Sequence, residues 1–95
     1  MEQDEKILTL HPEGKKGVNI SRKKYDAMKE VVLHILEERR EVAWREMIPL
    51  VKTEIGPDFE GSVPWYFESV KLDLQAKGEI KVENIKGLQY LYPLS

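Results

Sequence analysis

The clearest hydrophobic pattern runs through Tyr25, Met28, Val31, Val32, Ile35 and Leu36, spaced by three and four residues with polar positions between. That spacing puts all six on one face of an amphipathic helix. Ser21 stands where a cap can accept a backbone N–H two or three residues on. Ile20 before it and Tyr25 after it have the spacing of a hydrophobic staple. Glu37-Glu38-Arg39-Arg40 ends the first helix in water. A second helical face follows at Trp44, Met47, Ile48, Val51 and Ile55, stopped by Gly56. Pro49 lies inside it and removes a backbone donor, which predicts either a kink or a later start. Glu41-Val42-Ala43 before it can form a very short strand.

After the turn Gly56–Gly61, Ser62 is a second cap, and Pro64 falls in the first helical turn, where its missing N–H is harmless. The third helix is expected over Val63–Lys77, with Val63, Phe67, Val70 and Leu74 as its core face and Gly78 as its end. Glu79-Ile80-Lys81-Val82-Glu83 then alternates as a half-buried strand does, with Ile80 and Val82 facing inward. Asn84-Ile85-Lys86-Gly87 supplies the turn, Leu88–Tyr92 returns, and Pro93 stops the ladder. Upstream, Lys6–Leu10 reads as a short strand or an extended arm, and His11–Gly17 as a loop. Residues 1–20 are thus expected to form an N-terminal arm or short strand and loop, and residues 21–95 the folded domain.

The passage Val70-Lys71-Leu72-Asp73-Leu74-Gln75-Ala76-Lys77-Gly78-Glu79-Ile80 resembles the step from recognition helix to wing in the winged helix-turn-helix superfamily. Leu74 stands four before the glycine, and Ile80 opens the strand two after it. More narrowly, Gly61-Ser62-Val63-Pro64-Trp65-Tyr66 leading into Val70–Leu74 resembles a small group of uncharacterised bacterial winged-helix proteins. The resemblance implies an α+β fold of three helices followed by a two-stranded hairpin wing. It also implies DNA reading by the third helix with the wing on the backbone, although many superfamily members bind protein instead.

Charge qualifies that expectation. With 15 Lys and Arg against 17 Asp and Glu, the net charge is −2, so attraction to nucleic acid has to come from a local patch. The outward face of the third helix is expected to carry Ser62, Trp65, Tyr66, Ser69 and Asp73, with Lys71 and Lys77 on its flanks, and it is close to neutral. A DNA reader favours Arg, Lys, Asn or Gln there. The densest basic cluster is instead Lys15, Lys16, Arg22, Lys23 and Lys24. Its last three residues oppose the dipole of the first helix, a conflict that a phosphate would relieve. The alternative is a solvated face, with Arg22 paired to Asp26. The candidate contacts to double-stranded DNA are therefore Lys15, Lys16, Arg22, Lys23, Lys24, Tyr66, Ser69 and Lys71, with Lys86 from the wing. Trp65 and Leu72 are candidates for a protein interface or homodimer contact, or for cover by the wing strands or the arm.

Catalytic patterns are missing. The chain has no cysteine, Gly-rich phosphate loop, nucleophile elbow or HExxH, so no enzyme and no cofactor is expected. His34 and Glu38 stand one helical turn apart, but two ligands without a third make no metal site. An acidic start and the lack of a long apolar run argue against a signal peptide or membrane span, and a reducing, cytoplasmic setting is expected.

Overall fold

Both serine caps begin helices. The computed structural model describes residues 5–94. The first four residues of the expected arm, and Ser95 at the end of the expected domain, lie outside these. In chain order the elements are β1 (Lys6–Leu8), β2 (Asn19–Ser21), α1 (Arg22–Arg39), β3 (Val42–Ala43), α2 (Trp44–Ile55), α3 (Val63–Ala76), β4 (Ile80–Ile85) and β5 (Leu88–Pro93). This is an α+β chain of three helices with two small sheets. No helix among the described residues is long and apolar enough to cross a membrane.

The Ser21 hydroxyl accepts from the Lys24 N–H at 3.3 Å, and Ile20 and Tyr25 are both buried beside it. All six residues of the predicted stripe are in the core. At the far end Arg40, though not a glycine, takes a left-handed conformation with φ 68° and donates its N–H to the Leu36 carbonyl. The second cap repeats the first, with the Ser62 hydroxyl accepting from the Trp65 N–H at 3.3 Å.

Helix α2 runs through Pro49 rather than starting after it. The bond lost is the one that would reach the Arg45 carbonyl, and Arg45 and Pro49 are both exposed, so water can serve that oxygen. Met47 and Val51 are fully buried, while Ile48 and Ile55 pack at the margin of the core.

The larger sheet has the order β3-β5-β4, antiparallel throughout. The β4–β5 hairpin is longer than its turn residues suggest. Ile85 still pairs with Leu88, leaving only Lys86 (φ 52°) and Gly87 (φ 83°) to reverse the chain. Two left-handed residues in succession match the twist of the flanking strands. Pairing also continues past Pro93, because the Leu94 N–H donates to the Glu79 carbonyl at 3.2 Å. Ile80 opposite Pro93 is then a non-hydrogen-bonded pair, and the missing proline donor costs this ladder nothing. As the alternation predicts, Ile80 is buried and Val82 packs against the core.

Strands β1 and β2 form a separate antiparallel hairpin, with Ile7 opposite Ile20. β2 spans Asn19–Ser21, so it crosses the expected boundary between arm and domain. The arm is fastened at several points. Arg22 N–H donates to the Glu5 carbonyl at 2.7 Å, Thr9 N–H to Val18, and Val18 N–H back to the Thr9 hydroxyl. Gly17 lies so close to this exchange that an added Cβ would sit 1.7 Å from the Thr9 carbonyl oxygen. Gly17→Ala should therefore push the two segments apart, at a cost of about 1–3 kcal/mol. Hydrogen exchange at the Thr9 and Val18 amides should accelerate more than at the helix cores, and unchanged protection there would refute this close approach.

Candidate functional site

Asp73 was expected on the outward face of the third helix, and its burial corrects that expectation. It is fully buried and joins α1 and α3 to the arm. Its carboxylate accepts from the Tyr25 hydroxyl of α1 and from the Leu10 backbone N–H at 2.8 Å, and it pairs with the Lys77 ammonium at 3.0 Å. Burial alone would push the Asp73 carboxyl up, but the hydrogen bonds from Tyr25, Leu10 and Lys77, with the charge of Lys77, hold it below the ordinary value. Burial and the Asp73 contact push the Tyr25 phenol up to about 12. The charge of Asp73 is spent inside the fold, on fixing the arm.

Lys71 also departs from its predicted place. Expected as a flank contact for phosphate, it is 3% exposed. Its ammonium lies 2.6 Å from Glu68 and donates to the Gln89 side chain at 3.3 Å. Glu68 in turn accepts from the Trp44 indole at 3.0 Å. Lys71 and Glu68 together join the start of α2, the middle of α3 and strand β5, which leaves Lys71 unable to reach a ligand without breaking this junction. The long lysine stem follows the helix surface to bring its charge to the carboxylate.

Of the remaining candidates, Lys24, Trp65 and Tyr66 come together where α1 and α3 begin. The Lys24 ammonium sits 5.3 Å from the centre of the Tyr66 ring, a cation–π contact. Trp65 and Phe59 both meet Tyr66 edge-on, with ring centres 4.9 and 5.3 Å away. Trp65 keeps 47% of its surface exposed. Ser69 and Leu72 are half-buried further along α3, and Lys86 is exposed at the tip of the hairpin. The basic cluster is only partly available. Arg22 pairs with Glu5 at 3.1 Å and more loosely with Asp26, and Lys15 pairs with Glu13 at 3.0 Å. Lys16 and Lys23 are exposed, and Lys24 is half-buried against Tyr66. Phe59 was missed in the sequence because it lies in a turn, where no periodicity marks a contact.

A second cluster lies at the α1–α2 contact. The predicted pair His34 and Glu38 meets at 2.9 Å, and Glu54 of α2 reaches the other ring nitrogen at 2.8 Å. The hydrogen-bonded Glu54 carboxylate, followed by its charge and that of Glu38, raises the His34 imidazole above its ordinary value. Nothing in the sequence pairs residues 34 and 54, because only the packing of the two helices brings them together.

No curated protein and no solved structure matches the chain. The match to a family model begins at the first residue of β1 and ends within β5: residues 6–90 fit the Family of unknown function (DUF6958), and the chain belongs to that family.

Proposed function

We propose that this is a winged-helix domain that binds duplex DNA through its phosphates, with little reading of base edges. The element order supports the fold assignment. A short strand β3 lies between the first two helices, α3 runs directly into the β4–β5 hairpin, and the strands order as β3-β5-β4. The observation that carries the DNA reading is the contact of Lys24 with Tyr66. It joins the basic first turn of α1 to the exposed aromatic start of α3, so one surface offers ammonium groups, a tyrosine and an exposed tryptophan. Cations held at a helix N-terminus gain from a bound anion. With Lys71 internal and Asp73 buried, α3 has few exposed groups for bidentate base contacts, and weak, salt-sensitive, sequence-tolerant binding follows.

Fluorescence-anisotropy titration of duplex DNA at low and physiological salt tests this. Lys23→Gln with Lys24→Gln should weaken binding to all sequences alike and lower the salt slope by about 2. Lys71→Gln should change stability and leave that slope alone. A folded protein that fails to bind at low salt would sink the DNA proposal. It would favour a protein-interaction or dimerisation role, for which the exposure of Trp65 and Trp44 is the supporting observation.

A further inference from the structure

We propose that His34, Glu38 and Glu54 form a binding site for a divalent transition-metal ion such as Zn²⁺, which links α1 to α2 on a face separate from the basic–aromatic surface. One ring nitrogen and one oxygen from each carboxylate are the ligands, and water completes the coordination.

The geometry is the starting point. The ligand-capable atoms of the three residues all lie within 4.8 Å of one another. Bonds of about 2.0–2.1 Å to a tetrahedral zinc would set neighbouring ligand atoms roughly 3.4 Å apart. Glu38 and Glu54 lie at opposite ring nitrogens, so an ion on one nitrogen keeps the glutamate there while the other swings round the ring by a change of rotamer, which these exposed side chains allow. Their backbone positions already suit this. His34 and Glu38 are one turn apart on α1, so their side chains share a face, and Glu54 projects from α2 onto the same face.

The donor chemistry selects the ion. One imidazole with two carboxylates suits zinc and its transition-metal neighbours, whereas calcium and magnesium favour a shell made of oxygen alone. The same two glutamates also explain how the site rests without a metal. The imidazole stands between them with one ring nitrogen toward each. A divalent ion supplies two positive charges between the two carboxylates. Glu30, one turn before His34, lines the same groove between α1 and α2 and adds a further negative charge beside it. Because Glu54 comes from a different helix, metal binding is coupled to the docking of α2 on α1.

The test uses the untagged full chain, freed of metal by chelator and titrated with ZnCl₂ in a calorimeter. Wild type should show one saturable site, and saturating Zn²⁺ should raise its Tm, whereas Mg²⁺ and Ca²⁺ at the same concentration should not. His34→Gln and Glu54→Gln, both at partly exposed positions, should each weaken binding by about tenfold or more. His11→Gln, in the distant loop, should bind as wild type does. Lack of a saturable site in wild type overturns the proposal. So does Zn²⁺ binding that His34→Gln abolishes but Glu54→Gln leaves intact, because the inter-helix ligand would then be idle.

Discussion

Asp73→Ala is expected to lower the unfolding free energy by about 2–4 kcal/mol, because removing one member of a buried hydrogen-bonded group leaves its partners unsatisfied. Tyr25 loses its acceptor inside the core and the Leu10 N–H loses its anchor. Lys77 keeps part of its hydration, since its side chain is 40% exposed, which places the loss below that of a fully enclosed ion pair. Urea unfolding gives the global number, and the Leu10 amide gives a local one, because its exchange should approach that of an unfastened strand. Acid supplies an independent check. Asp73 is held below its ordinary value in the folded chain, so its contribution is complete above the unfolded value of about 3.9 and is lost as pH falls through the folded one. Wild type should therefore lose stability below about pH 4 more steeply than Asp73→Asn does. Equal acid slopes would mean that the carboxylate is not held in this way.

Leu74→Ala should be comparably damaging for an unrelated reason. Leu74 is fully enclosed among the α1, α3 and β4 core residues, and truncating it leaves a cavity that costs about 2–5 kcal/mol. For a domain of this size that is a large share of total stability. Leu74→Ala should lower the urea midpoint at every pH by a similar amount and leave the acid slope in place. An unchanged midpoint would show that α3 turns a different face to the core. The adjacent variants thus separate apolar packing from the polar anchor within one helical turn.

The contrast between these neighbours also marks what the sequence could reveal. Leu74 was legible as core because apolar spacing carries it, as were the caps Ser21 and Ser62 and the inward pair Ile80 and Val82. Asp73 and Lys71 were misplaced outward, because charge in a helical pattern is ordinarily read as exposure. Both are buried through partners far along the chain, Leu10 and Tyr25 for one and Gln89 for the other. Glu54 beside His34 is the same kind of contact. Local periodicity reports which side of an element is apolar, but it is silent on which polar side chains find each other across elements. The hairpin turn was misjudged for a different reason. Asn84 looks like a turn residue, yet the demand for left-handed φ falls on Lys86 and Gly87.

The strand order has a consequence for how the chain is made. β5 is the last of the described strands in sequence and the middle one in space, and β3 and β4 pair only with it. During vectorial synthesis the helices can form and begin to pack as they leave the ribosome, since all three are complete by the end of α3 and touch one another directly. The sheet cannot. Val42 in β3 waits for Leu91, and so does Val82 in β4. Until β5 emerges, both edges stay open to pairing with another nascent chain. A stall or a frameshift before Tyr90 would therefore cost the sheet all of the β3 pairing and most of that of β4 at once.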